Sequence, residues 1–485
     1  MTRSRALLGV ALAAGCSRGE ISSGLERIHD SGVLRWGGDL QGGEPYVFED
    51  PEHPGALTGF EVEIAAALAG RLGVRAQFVQ NDWSTLVPSL ERGTFDIALN
   101  GLEVTAARAQ RIAFTRPYYV FAERLVARSG DGRIRDLVSL RGLRVGTLAN
   151  SLAWDLLERA GAIRIPYEGQ DEPFIDLGKG RTDAILLDDI IVARYGNRPG
   201  LTVVGDVAEG QYAIGVRRED QPLAREIDRA LGELLRSGEL RAILARWRLD
   251  GPRQDRLGTV VADAGGRRTR LDAHQLVLFA QGAAVTVAVS AGAMVLAVLG
   301  GLLLAVARLP SPLAWRRAVR GLATAYVEVF RGTPVLLQLF VIYYGLAGVW
   351  RLDAYAAAII GLGLNYAAYE AEIYRAGIQA VPRGEIEAAH ALGMTGALAF
   401  RRVVLPQALR FSLPGIANDF IALLKDSSLV SVITVVELTK RMTIAAAETG
   451  DWVLPGVLCA LLYFALSYPL SRLARRLEWR LGAQR

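Results

Sequence analysis

At 485 residues the chain is too long for one ordinary domain, and length alone suggests about three globular units. Hydrophobic residues make up 51% and charged residues 22%, but residues 1–272 carry 36 Lys+Arg against 38 Asp+Glu, whereas residues 273–485 carry 19 against 12. Residues 274–307 contain no Asp, Glu, Lys or Arg, a run well beyond the roughly 18 to 20 apolar residues that cross a bilayer, and this excludes a wholly soluble protein.

The positive excess therefore sits in the apolar part, where it reads as membrane topology and not as a nucleic-acid partner. Two cysteines, Cys16 and Cys459, leave neither a disulfide framework nor a cysteine zinc site, and His29, His53, His274 and His390 have no metal-ligand spacing. The three lysines, Lys179, Lys425 and Lys440, are not followed by Ser or Thr as a P-loop requires, so the chain is not itself a P-loop ATPase.

Residues 1–16 read MTRSRALLGVALAAGC, with Arg3 and Arg5 ahead of a ten-residue apolar stretch too short to span unaided. That is the pattern of a signal peptide. Ala13-Ala14-Gly15 before Cys16 resembles a bacterial lipoprotein cleavage box, in which the cysteine is acylated; a plain signal sequence or uncleaved anchor is the alternative. Either way, the segment that follows is exported.

From about 25 to 250, short β-type runs (33–36, 76–79, 96–99, 143–146, 184–187) alternate with amphipathic stretches, the clearest being a helix over 60–72 with Ile64, Leu68 and Leu72 spaced by four. Such alternation predicts α/β lobes with largely parallel sheets. The successive segments LTGFEVEIAAALAGRLGV, NDWSTLVPSLERGTFDIALNGLEVTAARAQRIAFTRPYY, LRVGTLANS and GRTDAILLDD resemble the polar amino-acid family of bacterial periplasmic binding proteins. The resemblance implies two lobes, about 30–122 with 213–250 and about 123–212, that close on a free amino acid. It places crossover strands near 121–126 and 211–216.

The same resemblance assigns roles. Arg108 would grip the substrate α-carboxylate, since a guanidinium fork matches two carboxylate oxygens. Ser151 would add a hydroxyl donor, Asp188 would take the α-ammonium, and Trp83 would form an apolar wall. Asp39 faces the side-chain pocket in relatives that bind basic amino acids. At Glu103 the family commonly has a hydroxyl residue, and Asn100-Gly101 replace the usual small residues before it. With Asp39, Glu103 and Asp188 against Arg108, a cationic side chain compensates best, because unpaired buried charge is costly. Arg, Lys or His is the expected substrate, with glutamine or another polar neutral amino acid as the alternative.

Residues 251–275 mix Arg, Asp and Gly without an apolar period and read as a tether. A flexible chain of that length has a reach of roughly 25 to 30 Å. Beyond it, spans are expected to end near 306 and to cover 335–352, 355–373, 411–435 (broken) and 452–473: an all-α transmembrane bundle of about five helices. Arginines cluster after the first, third and fifth spans, at Arg308, Arg316, Arg317 and Arg320, at Arg375, Arg383, Arg401, Arg402 and Arg410, and at Arg472, Arg475, Arg476, Arg480 and Arg485. The positive-inside rule puts those segments, and the C-terminus, in the cytoplasm.

Within 377–410, Glu387-Ala388-Ala389, then three residues, then Gly393, then Val403-Val404-Leu405-Pro406 resembles the EAA loop of ABC-transporter permeases. YVEVFRGTPVLLQLF and LLKDSSLVSVI resemble the polar amino-acid permease subfamily. The family implies a multi-pass protein of the bacterial inner membrane with the binder periplasmic or extracellular; one permease domain per chain makes a homodimer in the lipid bilayer the simplest assembly, a second permease subunit being the alternative. The family also implies a separate cytoplasmic ABC ATPase dimer that uses ATP and Mg; this chain is expected to bind no cofactor or metal and to catalyse no reaction. Among the ionisable residues at membrane depth, Glu372, Lys425 and Asp426 fit fold support, while Glu370 and Asp419 are candidates for a transient substrate site. A ligand-gated channel would interrupt the second lobe with pore segments, and an exported enzyme on this fold would have no EAA loop.

Overall fold

The computed structural model describes residues 24–257, 272–309, 314–349, 352–449 and 451–482. The expected signal peptide with Cys16, and residues 258–271 of the expected tether, lie outside these residues.

The first part runs α1 (Gly24–Ser31), β1 (Val33–Gly38), β2 (Phe48–Glu49), β3 (Leu57–Thr58), α2 (Phe60–Arg71), β4 (Arg75–Gln80), α3 (Leu86–Glu91), β5 (Ile97–Ala98), α4 (Ala106–Ala109) and β6 (Ile112–Arg128). It continues through β7 (Arg144–Leu148), α5 (Leu152–Ala160), β8 (Ile163–Tyr167), α6 (Glu172–Gly178), β9 (Ala184–Asp188), α7 (Asp189–Tyr195), β10 (Leu201–Arg217), α8 (Gln221–Arg236) and α9 (Glu239–Arg246). The helix expected over 60–72 forms because Phe60, Ile64, Ala65 and Leu68 share one buried face, with Glu61 and Glu63 in the first turn and Arg71 in the last complementing the helix dipole.

One eight-stranded sheet has the order β4-β1-β5-β10-β6-β9-β7-β8, and β2 pairs with β3 apart from it. β1 lies parallel to β4 and β5, and β7 parallel to β8 and β9, giving each lobe its own parallel layer. The 17-residue strands β6 and β10 run antiparallel along each other, Phe121 opposite Gly210, and connect the lobes. Gly251 does not begin a free tether. Pro252–Arg256 form a 3-10 turn in which the Gln254 amide donates to Val120 O at 2.8 Å and accepts from Val120 N at 3.0 Å, fastening the segment to the crossing strand.

The second part comprises α10 (Ala273–Ala307), α11 (Ala314–Gly332), α12 (Val335–Tyr343), α13 (Ala354–Gln379), α14 (Arg383–Ala391), α15 (Gly396–Ala399), α16 (Leu405–Asp426), α17 (Leu438–Thr449) and α18 (Val453–Gly482). The all-α class stands, but the described residues hold more helices than the five expected. Two helices, Ala273–Ala307 and Val453–Arg476, are long and apolar enough to cross a membrane, and the pair Trp315–Gly332 with Val335–Ala347 qualifies jointly but bends by 107°. α13 and α16 match the expected third and fourth spans in position, with Asn365, Glu370 and Asp419 as polar residues inside them.

The expected span at 335–352 is corrected. α12 has only nine residues, about 13 Å of helix, and its partner is α11, a segment over which no span is expected from the sequence. Pro334 precedes α12 and cannot donate into a continuing α11, so the chain turns there. Gln338 stabilises the break: its Nε2 donates to Phe330 O at 3.0 Å and to Thr333 O at 3.1 Å, carbonyls that the interrupted helix leaves open. Asn365 of α13 donates to the same Phe330 O at 3.1 Å and to Gln338 Oε1 at 3.0 Å.

α10 and α13 approach closely at Gly301, where a Cβ would fall 2.4 Å from the Glu370 Cβ and 3.1 Å from Ala367 O. The EAA segment folds as the helix α14, which ends at Gly393 in the left-handed region, φ 80°. Gly393 N donates to His390 O and Met394 N to Ala389 O, closing the orphan carbonyls at the helix end. Ala389 is buried, whereas Glu387, Ala388 and Leu392 are exposed.

Candidate functional site

The cleft between the lobes collects the residues that sequence reading nominated. Asp39 ends β1 and spends both oxygens within its own lobe: Oδ1 accepts from Gln41 N at 3.0 Å and Gln80 Nε2 at 3.1 Å, Oδ2 from Trp83 N at 2.8 Å. Asn100 Oδ1 accepts from Asp39 N at 2.9 Å, and Gly101 N donates to Glu61 Oε1 at 2.5 Å. This network fixes the loop after β5 against the end of β1.

Arg108 sits on α4, whose first turn is capped by Thr105. Its Nη1 donates to Glu103 O at 3.0 Å and its Nη2 to Asn150 O, in the other lobe, at 2.9 Å; the guanidinium carbon lies 4.8 Å from the Trp83 ring centroid. Trp83 Nε1 donates across the cleft to Ala149 O at 3.3 Å. Glu103 is 3% exposed, and its Oε2 accepts from Leu152 N, at the start of α5, at 2.6 Å while lying 3.5 Å from Arg108 Nη1. Three nominated residues of the first lobe thus bridge directly to the second.

Ser151 caps α5, but its hydroxyl donates to Leu148 O at 2.9 Å and accepts from Trp154 N at 3.1 Å. The donor expected of Ser151 is therefore used inside its own loop. Asp188, at the end of β9, accepts from the Tyr212 hydroxyl, which also lies 2.9 Å from the Tyr46 hydroxyl.

Glu123, Tyr46 and Tyr212 were missed. Glu123 lies on the crossing strand β6 within FAERLV, wholly buried beside the cleft: one carboxylate oxygen each from Glu103, Glu123 and Asp188 lie within 4.8 Å of one another. A single Glu in an apolar run of a crossing strand was the available signal. Burial pushes Asp188 and Glu123 well above the usual carboxylate range, helped by repulsion from Glu103 on Asp188 and from Asp188 and Glu103 on Glu123. Burial raises Glu103 to about 7 against the pull of Arg108, and burial lowers Arg108. The described lining of the cavity contains four carboxylates, from Asp39, Glu103, Glu168 and Asp188, and no Lys, Arg or His. The carboxylate triad has the donor type for a hard cation, but equally for an ammonium group, which needs only acceptors.

The second lobe rests on the membrane part. Trp154 Nε1 of α5 donates to Glu448 Oε1 of α17 at 3.1 Å, and Glu448 Oε2 accepts from Gln275 Nε2 of α10 at 2.9 Å. Tyr343 OH of α12 donates to Asp176 Oδ2 at 2.6 Å, Arg181 Nη2 donates to Tyr343 O at 3.1 Å, and Lys440 pairs with Glu168. Between these contacts lies a cavity of about 740 Å³. In the membrane part, Glu370 is wholly buried with both carboxylate oxygens unpaired, and Asp419 has one buried unpaired oxygen. Glu372 is paired with Arg308 at 2.5 Å and with Arg375 at 2.7 Å, and Asp426 accepts from Tyr366 OH at 2.7 Å.

Comparison with known proteins agrees with this division. Residues 36–250 match the bacterial extracellular solute-binding proteins of family 3, and residues 277–482 match the binding-protein-dependent transport system inner membrane component. An octopine transport system permease protein of Rhizobium radiobacter is 42% identical over 173 residues, 34% of this chain and 71% of the relative. The arginine transport system permease protein ArtQ of Bacillus subtilis is 33% identical over 211 residues, 43% of this chain and 94% of the relative. A putative glutamine transport system permease protein of Rickettsia bellii is 34% identical over 210 residues, again 43% of this chain and 94% of the relative. Among solved structures, a mutant arginine-binding protein from T. maritima aligns with a TM-score of 0.43 and 28% identity, covering 47% of this chain and all of that one. These relatives are transport components and not enzymes, and in such systems the ATPase is a separate subunit. The chain accordingly belongs to the inner-membrane permeases of amino-acid ABC importers, with a family 3 solute-binding unit fused ahead of the permease.

Proposed function

We propose that this chain is both the receptor and half of the channel of an ATP-driven importer for a free polar amino acid, with a basic amino acid as the substrate. The observation that carries the reading is the cleft lined by Asp39, Glu103, Glu168 and Asp188 without a basic side chain, with Arg108 at its edge. A zwitterion brings no net charge to such a site, whereas Arg, Lys or protonated His brings one positive charge. Relatives named for arginine and for glutamine transport support either side chain, and the charge of the cleft favours the first.

In this reading the second lobe delivers from its seat on α12 and α17, and Glu370 with Asp419 offers a passing site for an ammonium group within the membrane. One permease unit per chain makes a homodimer the simplest complete channel. The exposed Glu387 and Ala388 on α14 form the handle for a cytoplasmic ATPase dimer, which supplies ATP and Mg²⁺. Arg316, Arg317 and Arg320 begin α11 directly after α10 ends near Arg308, so the arginines of both helices share one side of the membrane, taken as cytoplasmic.

Titration of the full chain in lipid nanodiscs with each amino acid tests the reading. Binding of arginine, lysine or histidine, at least ~10-fold tighter than that of glutamine, is expected. Tight glutamine binding with no basic amino acid bound overturns the basic assignment.

A further inference from the structure

We infer that Glu103 is a built-in carboxylate occupying the seat of a substrate's α-carboxylate, and that it biases this binder toward ligands held by their cationic ends. The inference rests on the proposed amino-acid reading of the cleft and deepens it by naming which part of the ligand is selected.

An α-carboxylate entering this cleft needs what any buried anion needs: a guanidinium and free N–H groups, best supplied by a helix N-terminus. The cleft has one such arrangement, Arg108 from the first lobe facing the N-terminus of the nine-residue helix α5 in the second. It is already filled from within the chain. Glu103 Oε2 takes the Leu152 N–H at 2.6 Å and lies 3.5 Å from Arg108 Nη1, the Ser151 hydroxyl takes the Trp154 N–H, and Arg108 donates to the carbonyls of Glu103 and Asn150. Glu103 is 3% exposed, so its carboxylate is not a surface group visiting the site but part of the closed cleft.

Two consequences follow from charge. Glu103 neutralises Arg108, so Asp188 lines the cavity with no basic partner in that lining, and the wholly buried Glu123 adds a further carboxyl group beside it. The cavity then rewards ammonium or guanidinium groups. A ligand carboxylate, in contrast, must first displace Glu103 from Leu152 N, exchanging one carboxylate for another at little net gain. Discrimination between an amino acid and its decarboxylated counterpart should therefore be weak, although a guanidinium–carboxylate contact usually makes it strong.

The test uses the full chain in lipid nanodiscs and two ligand pairs, L-arginine with agmatine and L-glutamine with 4-aminobutanamide, titrated into the wild type, Glu103→Ser and Glu103→Ala. The wild type should bind the members of the better-bound pair within about 3-fold of each other, and both variants should tighten the carboxylate-bearing member by about 10-fold or more while moving its decarboxylated counterpart less than about 3-fold. A thermal melt identifies any variant that has not folded, and the other variant then decides. Equal changes in both members, weakened amino-acid binding in the folded variants, or failure of every ligand to bind overturns the inference. Should only the carboxamide pair bind, the basic-substrate reading fails while the role of Glu103 is still decided on that pair.

Discussion

Glu448 of the permease accepts a hydrogen bond at 3.1 Å from the indole of Trp154, one turn inside the helix whose N-terminus closes the substrate cleft. Both side chains of the Arg164–Glu448 pair beside it are 13% exposed, so the contact is shielded from solvent, and the Arg164 guanidinium stacks 4.2 Å above the Trp154 ring. Hydrogen bonds to charged groups contribute about 1.5–3 kcal/mol.

Trp154→Phe keeps an aromatic side chain, smaller than the indole, and deletes the donor. Substrate-stimulated ATP hydrolysis by the complex reconstituted with its ATPase is expected to fall about 10-fold, with substrate affinity changed less than about 3-fold. Unchanged stimulation would remove the contact from the delivery step.

Stability of the binding unit should depend on pH through Glu61. This carboxyl is wholly buried, and burial raises it to about 7 in spite of bonds from Tyr118 OH and Gly101 N. Since the folded value exceeds the unfolded one, the folded state holds the extra proton. The associated stability is fully present below about pH 4.5 and is lost as pH rises through about 7. The unfolding free energy of the binding unit, followed by calorimetry, should fall between pH 5 and pH 8 by an amount on the order of 3 kcal/mol from this group, and Glu61→Gln should remove that share of the dependence.

Gly301→Ala should destabilise the membrane part by about 1–3 kcal/mol, because the new methyl meets the Glu370 Cβ at 2.4 Å and the α13 backbone at 3.0 Å and must push α10 away. Gly321→Ala, where nothing lies within 4 Å, is the matched control and should cost nothing. Thermal aggregation of the detergent-solubilised protein compares the two.

Gly393 supplies a left-handed residue at the end of α14, so Gly393→Val should disorder that end at a cost of about 1–2 kcal/mol. ATPase association, measured by co-purification, is expected to fall while substrate binding in nanodiscs stays within about 2-fold. Glu387→Lys, which reverses an exposed charge without touching the backbone, should reduce association alone.

Local patterns made much of the architecture legible. The alternation of β-type runs with helices anticipates the two parallel layers, and the charge-free run 274–307 anticipates α10. α11 was not legible because AWRRAVRGLATAYVEVFRG carries three arginines in its first half and looks like a loop; its apolar face becomes evident only when α13 packs on it through Val327 and Ala368. In the cleft, Arg108, Trp83 and Asp188 could be named from the resemblance to the binding-protein family, but their partners could not. That Glu103 reaches Leu152, or that Tyr212 joins Asp188 to Tyr46, depends on chain segments 24 to 166 residues apart, brought together by the sheet. Ser151 was assigned a role facing the ligand because a cap and a ligand contact use the same residue type.

The amide of Gln254 occupies the backbone of Val120, on one of the two strands about which the lobes turn. The leash to the membrane thus leaves from the axle of the hinge and from neither door. A turn of one lobe against the other about these strands leaves that exit point in place.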